Sequence, residues 1–400
     1  METTEIPEFP MARSAGCPFD PPADMTAMRR QGPLARVRLW DGSTPWLVTR
    51  YADQRALLAD PRVSADIRRP GYPAPAPLPP DDASPGFVVM DDPEHARLRR
   101  MVTAPFAIRR IEAMRPSVQR IVDGLVDAML AGPKPVDLVE RFALPVPSLV
   151  ICDLLGVPYA DHDFFQDNSR LLVSRDTAPE ERMAAMGRLT DYLDRLVGDK
   201  LDAPGEDLLS GLTERIRAGE LTRTEAARTG VLLLTAGHET TANMIALGTL
   251  ALLEHPDQFA LLRDTEDPKV VASAVEELLR YLSIIHDGRR RVAVEDIVTA
   301  DYTVRAGEGL IMANNTGNRD PDVFGDPDRL DLRRDARRHV AFGFGVHQCL
   351  GQPLARMELQ VVYETLAKRL PALTLATDLD RVPFKHDAAV YGVHELPVTW

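Results

Sequence analysis

The longest apolar run of the chain is VLLLTAGHETTANMIALGTLALL, from Val231 to Leu253. Its length would suffice for a helix that crosses a lipid bilayer. Its centre, however, carries the polar residues between His238 and Asn243, and one of them is the carboxylate of Glu239. A charged side chain at the centre of a bilayer costs roughly 2.5–3.5 kcal/mol on insertion scales. The run therefore predicts a long helix through the core of a large soluble protein, and its polar centre needs a functional reason.

Helical patterns dominate the rest of the sequence. The segments DDPEHARLRRMVTAPF and DPKVVASAVEELLRYL each open with an aspartate N-cap, Asp92 and Asp267, followed by a proline. The second segment places its apolar side chains on one helical stripe: Val271, Val275, Leu278, Leu279 and Leu282. A third amphipathic helix, GQPLARMELQVVYETLAKRL, begins just after Cys349. Strand-like runs are few (LARVRLW, TPWLVTR and YTVRAGEGLIMAN), so we predict a mainly α fold with a minor β part.

Two proline-rich stretches are predicted to be irregular, because proline inside a helix removes a hydrogen bond and clashes with the preceding turn. Residues 1–35 contain six prolines, and residues 68–89 include RRPGYPAPAPLPPDDASPG. An irregular loop of that length within a compact domain is usually functional or mobile. No repeat and no linker separates two cores, so residues 1–400 are predicted to form a single domain.

Charge and cysteine usage exclude several classes of protein. The formal net charge of −13 makes the chain a poor general binder of nucleic acid or of anionic membranes. The three cysteines, Cys17, Cys152 and Cys349, are odd in number and widely spaced, which does not indicate a disulfide framework. The first residues, METTEIPEFPMARSAG, lack the features of a signal peptide. These features predict a cytoplasmic protein.

Cys349 lies in the unusual stretch HVAFGFGVHQCLGQPLAR. Gly343 and Gly345 allow a tight turn and a close approach to a flat group. A helix starts just after the cysteine, and the positive end of a helix favours thiolate over thiol. A thiolate held in this way is a nucleophile or a metal ligand, and the alternative is a buried structural cysteine.

The spacing Phe342-x-x-Gly345-x-x-x-Cys349-x-Gly351 resembles the haem-binding signature of the cytochrome P-450 family. Three further motifs occur in the order typical of that family. They are AGHETTA (236–242), the pair Glu277-x-x-Arg280 in EELLR, and FGDPDRLD, which carries Arg329. The resemblance extends from Phe9 to Trp400 and is greatest to soluble bacterial members that act on xenobiotics and secondary metabolites.

The resemblance implies the P-450 fold, with haem b (iron protoporphyrin IX) between the long central helix and the helix of the cysteine loop. Cys349 would be the axial thiolate ligand. Further haem contacts are implied for Ala236, Gly237, Phe342, Gly343 and Gly351. The haem propionates would be held by His95, Arg99, Arg291 and His347, although surface ion pairs are the alternative. The run Arg289–Arg291 leaves open which arginine meets the propionate.

For catalysis, the resemblance assigns proton delivery to Thr240 and Glu239. The Thr240 hydroxyl is also expected to bond the Ala236 carbonyl four residues earlier, which distorts a helix locally. The alternative is that both residues lie on an exposed helix face. Glu277, Arg280 and Arg329 are expected to form a buried charge network without a catalytic role.

For the residues of the expected substrate pocket, a core role is the alternative and is equally consistent with each of them. The expected lining is Phe87, Val88, Leu233, Ala236, Thr240, Ile284 and Ile285. A lid is expected around Leu171, Leu172 and Met183. An apolar lining predicts a small hydrophobic substrate without identifying it.

The predicted function is haem-thiolate monooxygenation, in which one oxygen atom of O2 enters the substrate by hydroxylation or epoxidation. No G-x-G-x-x-G motif for a flavin or dinucleotide is present, so electrons must come from outside the chain. The resemblance implies a ferredoxin and its NAD(P)H-dependent reductase, with a candidate docking patch at Arg109, Arg110, Arg337 and Arg338. The alternatives are a peroxygenase, an oxidative coupling or dehydrogenation enzyme, and a non-enzymatic haem sensor.

Overall fold

The computed structural model describes residues 6–13, 16–77, 86–173, 177–386 and 388–400. The chain divides into two compact units. The first unit comprises Met1–Ala96, Asp267–Leu350 and Phe384–Tyr391, and the second comprises Arg97–Glu266, Gly351–Pro383 and Gly392–Trp400. We describe each unit by itself, and the single domain over residues 1–400 stays a prediction.

Helices account for most of the described structure, as the sequence predicts. Their bounds are α1 (Ala23–Gln31), α2 (Tyr51–Ala59), α3 (Glu94–Thr103), α4 (Ile108–Ala131), α5 (Pro145–Leu155), α6 (His162–Val173), α7 (Pro179–Asp202), α8 (Leu208–Arg217), α9 (Arg223–Leu253), α10 (Pro256–Asp264), α11 (Pro268–Leu282), α12 (Asn314–Gly317) and α13 (Gln352–Arg369). The predicted cap of α11 is present, because the Asp267 carboxylate accepts a hydrogen bond from the Lys269 amide. The predicted apolar stripe of α11 is buried throughout.

The strands are short: β1 (Leu34–Arg36), β2 (Trp46–Val48), β3 (Val63–Ser64), β4 (Val136–Asp137), β5 (Arg289–Ala293), β6 (Ile297–Val298), β7 (Thr303–Val304), β8 (Gly309–Met312), β9 (Thr374–Leu375) and β10 (Pro397–Thr399). The first unit holds a five-stranded sheet of order β1-β2-β8-β5-β3 and the β6-β7 pair. The second unit holds the sheet β4-β10-β9. In the larger sheet only β2 and β8 are parallel.

The polar-centred apolar run forms the C-terminal three-quarters of α9, the long helix of the second unit. A capping box between Thr222 and Glu225 fixes its start. Every residue from Thr241 to Leu252 is buried, so this part of the helix is in the core. Among the described residues, no helix combines the length and the apolar character that crossing a bilayer requires.

The prediction for residues 1–35 was wrong in part. Helix α1 occupies Ala23–Gln31, because Pro22 stands immediately before its first residue and Pro33 lies beyond its end. Proline is tolerated at both places, since neither interrupts the hydrogen bonds within the helix. In the second proline-rich stretch, residues 78–85 lie outside the described residues, and Phe87–Val89 form one 3-10 turn.

The buried charge network of the first unit contains Glu277 and Arg280, as predicted, but its second arginine is Arg334. Arg280 donates from Nε and Nη2 to the two carboxylate oxygens of Glu277, at 2.7 and 2.8 Å. Both side chains are fully buried. Arg334 Nε lies 3.1 Å from Oε1 of Glu277.

The assignment of Arg329 to this network through its side chain was wrong. The Arg329 residue is exposed, and its contribution is its backbone carbonyl, which accepts from Arg280 and Arg334. The physical reason is geometric: the chain turns after Arg329, and the side chain of Arg334 returns towards the carboxylate.

We expect Arg334→Ala to lower the free energy of unfolding by about 2–3 kcal/mol, because it removes one charged donor from a buried carboxylate. Arg329→Ala is the matched control and should change it by less than about 0.5 kcal/mol, since its carbonyl is retained. Urea titrations followed by circular dichroism provide the comparison. Equal shifts of the urea midpoint in the two variants would contradict the assignment of Arg334.

Candidate active site

The cysteine loop of the first unit is a fixed turn. The backbone N–H of Cys349 donates to the Phe342 carbonyl at 2.9 Å. Gly343 and Gly345 have φ angles of 73° and 75°, in the left-handed region that favours glycine. A Cβ on Gly343 would lie 2.9 Å from Nε of Arg289, and one on Gly345 would collide with the Leu58 carbonyl. The two glycines therefore allow other groups to approach this loop closely.

All three cysteines are free thiols, but their surroundings differ. Cys17 is exposed and Cys152 is buried, and burial raises the pKa of the Cys152 thiol far above its usual range. Cys349 is half-buried, three residues before the first residue of α13, and Gly351 directly precedes that helix. Only Cys349 combines partial access with a tightly turned loop.

Three consecutive arginines of β5 point to alternate faces of the sheet, as side chains of a strand do. Arg290 donates to the Pro73 carbonyl at 2.7 Å and lies 3.6 Å from the Asp287 carboxylate. Arg289 and Arg291 share the opposite face. Arg289 donates from Nη2 to the Ala341 carbonyl of the cysteine loop at 2.8 Å. The strand thus places Arg290 on a different face from the other two arginines. Arg289 therefore joins the predicted Arg291 as a candidate for the propionate contact.

These two cations are half-buried. Burial lowers the pKa of Arg289, and the charge that Cys349 can carry opposes that shift. Burial, reinforced by the charge of Arg289, lowers the pKa of Arg291 to about 10, so Arg291 remains charged near neutral pH. The Nε atom of Arg289 has no hydrogen-bond partner among the described residues. A buried cation with unused donors is costly unless it meets an anion.

His95 and His347 lie together in the first unit, with ring centroids 4.0 Å apart. His95 is 2% exposed, and its Nδ1 lies 3.0 Å from the Asp92 carboxylate. Its Nε2 has no partner within the described parts of the chain. Arg99 is half-buried one turn further along α3. The structure therefore brings together two residues that were predicted separately as propionate contacts, and one of them has an unsatisfied buried nitrogen.

In the second unit, α9 shows the local geometry that the sequence predicts. The Thr240 hydroxyl donates to the Ala236 carbonyl at 2.7 Å. The Asn243 amide donates to the Glu239 carbonyl at 2.8 Å, so a second side chain bonds the backbone one turn along. A Cβ on Gly237 would meet only Ile151, at 3.8 Å, which is an ordinary contact. Ala236 is exposed within its own unit.

A cavity of about 520 Å³ adjoins this part of α9 in the second unit. The surface of its wall is mainly apolar, although five of the nine lining side chains are polar: Ser169, Leu172, Arg182, Met183, Met186, Leu234, Thr235, His238 and Glu239. Glu239 thus faces a cavity, as do Leu172 and Met183 of the expected lid. The sequence missed Ser169, Met186 and Leu234, because helical periodicity does not distinguish a residue at a cavity from one in the core.

The other expected pocket residues are placed as follows. Leu233 is 8% exposed and does not line this cavity, whereas its neighbour Leu234 does. Phe87 is buried with its ring 6.3 Å from that of His95, and Val88 is 43% exposed. Ile284 and Ile285 follow α11 in the first unit, where Ile285 forms a β-bridge with Val390.

Comparison with known proteins explains both the cysteine loop and the polar centre of α9. The cytochrome P-450 family model matches residues 27–375. The chain belongs to the cytochrome P-450 family. It is 57% identical to the cytochrome P-450 GfsF of Streptomyces halstedii over 403 residues, which cover 99% of this chain and 97% of the relative. The crystal structure of GfsF matches with a TM-score of 0.95 and 58% identity, covering 98% of this chain and 100% of that one.

Two further P-450 relatives carry the name of a substrate. The 20-oxo-5-O-mycaminosyltylactone 23-monooxygenase of Streptomyces fradiae is 46% identical, over 98% of this chain and 92% of the relative. The mycinamicin VIII C21 methyl hydroxylase of Micromonospora griseorubida is 45% identical, over 98% and 99%. Its crystal structure with mycinamicin VIII matches with a TM-score of 0.90, covering 99% of this chain and 100% of that one.

The predictions of the P-450 fold, of a haem-thiolate cofactor with a cysteine ligand and of a monooxygenase are confirmed. The haem sensor is thereby set aside. A P-450 of this kind also needs an external redox partner. The residues present fit the cofactor on independent grounds. The unsatisfied Nε2 of His95, the unused Nε of Arg289 and the left-handed glycines of the cysteine loop each provide what a flat dianionic group requires.

Proposed function

We propose that this P-450 inserts one oxygen atom of O2 into a large, mainly apolar organic substrate, by hydroxylation or epoxidation, with electrons from a ferredoxin and its NAD(P)H-dependent reductase. The observation that carries the proposal is the Thr240–Ala236 bond on α9, next to the carboxylate of Glu239 at the wall of a cavity. An acid beside an alcohol is the combination that controlled proton delivery requires.

Cys349 would ligate the iron, and the fixed turn around it would hold the sulfur in place. His95, Arg99, Arg289, Arg291 and His347 would neutralise the propionates, because charge-assisted hydrogen bonds from histidine and arginine bind carboxylates tightly. When bound, the haem thiolate supplies the activation of O2 and the oxidation of a C–H or C=C bond.

Thr240 and Glu239 would manage the protons. The Thr240 hydroxyl gives its hydrogen to the Ala236 carbonyl, so its oxygen remains able to accept a proton or hydrogen bond from another group. Glu239 lines the cavity and can exchange a proton with water there. A proton held first on Glu239 and then at Oγ1 of Thr240 would be delivered without opening the site to bulk water.

The substrate class follows from the cavity and from the relatives. Leu172, Met186 and Leu234 form an apolar wall, and flexible methionines adapt to substrates of irregular shape. Two of the relatives whose names state a substrate act on mycaminosyltylactone and mycinamicin compounds. We therefore infer a large lactone or similar natural product, of which the apolar part occupies this cavity.

The peroxygenase and coupling alternatives differ from this proposal in their need for protons. A peroxygenase receives its oxygen already reduced, and it has less use for the paired Thr240 and Glu239.

For electron delivery, four exposed arginines are candidates: Arg109 and Arg110 at the start of α4, and Arg337 and Arg338 in the first unit. Arg337 is partly neutralised by Asp335 at 2.8 Å, so the other three are the stronger candidates for an acidic ferredoxin.

We expect Thr240→Ala to reduce the product formed per NADPH by about tenfold, because unmanaged protons release reduced oxygen as hydrogen peroxide. Thr229→Ala is the matched control, since Thr229 makes the same kind of backbone bond on the same helix, to the Glu225 carbonyl at 2.7 Å. The assay uses ferredoxin, reductase and mycinamicin VIII as the first probe, and it measures NADPH, peroxide and product together.

An unchanged amount of product per NADPH in Thr240→Ala would refute the assigned role of Thr240. A wild-type enzyme that forms product from added peroxide as fast as from NADPH and O2 would favour the peroxygenase. Equal losses in the Thr229 and Thr240 variants would indicate a general defect of α9.

A further inference from the structure

Arg13 is a buried arginine that belongs to none of the motifs above. It lies in the segment before α1, yet its side chain is only 3% exposed and reaches the interior of the first unit. Taking a charge out of water is expensive unless the surroundings supply several partners. The contacts of Arg13 therefore indicate what its burial achieves.

The guanidinium caps the C-terminus of α11. Nη2 donates to the carbonyls of Leu282 and Ser283, at 2.9 and 3.0 Å, and Nη1 donates to the Phe19 carbonyl at 3.2 Å. Carbonyls at a helix end have no partner within the helix, and a cation is favourable at that end of the dipole. Ser283 has a φ of 43°, in the left-handed region, so the chain reverses direction where Arg13 holds it.

The same guanidinium lies over an aromatic ring of a second segment. Its central carbon is 4.2 Å from the ring centroid of Tyr391, which is fully buried. The backbone N–H of Tyr391 donates to the Ile284 carbonyl at 2.7 Å. The neighbouring residues Ile285 and Val390 form a β-bridge. Arg13 thus contacts both segments that meet at Ile284 and Ile285.

Charge and shape both favour arginine at this position. Burial lowers the pKa of Arg13 to about 10, so the side chain stays charged near pH 7. Burial, reinforced by the charge of Arg13, lowers the pKa of His286 to about 4, so that ring is neutral and does not repel the cation. A planar fork can donate to three carbonyls and lie over a ring at once, which a lysine ammonium cannot do.

We propose that Arg13 is a positioning residue: it fixes residues 282–286 against residues 388–391 and thereby sets the shape of the substrate-facing wall at Ile284 and Ile285. The proposal rests on the proposed function, and on the place in the pocket that the family resemblance implies for those two isoleucines. The hydrogen bonds of Arg13 and its ring contact involve none of the residues assigned to the haem or to proton delivery. Its loss should alter how bulky ligands fit, while the haem and its cysteine ligand remain.

The test compares two azoles that bind the haem iron, imidazole and 4-phenylimidazole, by their Soret shifts. Imidazole reports access to the iron alone, and the phenyl group reports the surrounding wall. We expect Arg13→Lys to weaken 4-phenylimidazole binding roughly three- to tenfold, as coupled substitutions away from a ligand do, with imidazole binding unchanged. Hydrogen exchange should increase in peptides covering residues 282–286 and 388–391.

A second pair of variants covers the possibility that Arg13→Lys does not fold. Tyr391→Leu removes the ring beneath the guanidinium and should reproduce the loss. Tyr391→Phe keeps the ring and removes a hydroxyl that has no hydrogen-bond partner among the described residues, so it should bind both azoles as the wild type does.

Three outcomes would overturn the proposal. The first is unchanged 4-phenylimidazole binding in Arg13→Lys despite faster exchange in the two segments, which would make Arg13 merely structural. The second is equal weakening of both azoles, which would indicate a damaged haem site. The third is a wild-type protein without any azole shift, which would contradict the proposed function and remove the basis of this inference with it.

Discussion

We expect replacement of Cys349 by serine to abolish the red-shifted Soret band of the ferrous carbonyl complex and to reduce substrate oxidation to background. A thiolate donates electron density to iron far more strongly than a serine hydroxyl, which is neutral at pH 7. The measurement is the absorption spectrum of purified protein reduced with dithionite and exposed to carbon monoxide. Haem content is measured in parallel, so that loss of the band is distinguished from loss of haem.

The matched control is Cys17→Ser, because Cys17 is a free, exposed thiol. That variant should keep both the band and the activity. Cys152 is the less suitable control, since it is fully buried and its replacement would disturb the core. A red-shifted band that persists in Cys349→Ser would assign the axial ligand to another residue and contradict the role of the cysteine loop.

The part of the site that sequence predicts well is the part set by local spacing. The Thr240–Ala236 bond follows from a hydroxyl four residues after a carbonyl in a helix, and no tertiary contact is needed to anticipate it. Gly343 and Gly345 likewise indicate a tight turn, because glycine adopts positive φ angles freely. Both features were predicted from fewer than ten neighbouring residues.

The errors arise where a side chain's partner is distant in sequence. Arg329 and Arg334 lie in the same arginine-rich stretch, and the path of the backbone decides which of them reaches Glu277. The sequence left open which of the three arginines of β5 meets the propionate. The register of β5 against β8 fixes the face of the sheet that each arginine occupies, and local sequence does not show that register. Arg13 has no local signature, since the two carbonyls that it caps are 269 and 270 residues away.

The second large effect concerns Glu277. We expect Glu277→Ala to lower the free energy of unfolding by about 3–5 kcal/mol and to yield protein with little haem, because it leaves Arg280 buried without its anion. Arg280 is fully buried, and its remaining acceptors are neutral carbonyls: those of Asn318 and Pro327, both at 2.8 Å, and that of Arg329 at 3.4 Å. Carbonyl groups satisfy the hydrogen bonds of a guanidinium but do not neutralise its charge.

The measurements are haem per protein after expression and the thermal midpoint of the variant. Glu364→Ala is the control, since Glu364 pairs with Lys368 at the surface, at 2.9 Å, and such an exposed pair contributes little. Glu277→Gln should lie between the two, because it keeps the shape and one acceptor oxygen but loses the charge.

The fraction of Glu277→Ala that does contain haem separates a folding role from a chemical one. If Glu277 acts only by stabilising the fold, that fraction shows the red-shifted carbonyl band and forms as much product per NADPH as the wild type does. Normal haem content in the variant would refute the folding role. Haem-loaded enzyme that forms little product per NADPH would instead connect Glu277 to the chemistry. Among the described residues, the Glu277 carboxylate accepts from Arg280, Arg334 and the Asp331 amide, and none of these belongs to the proposed proton path.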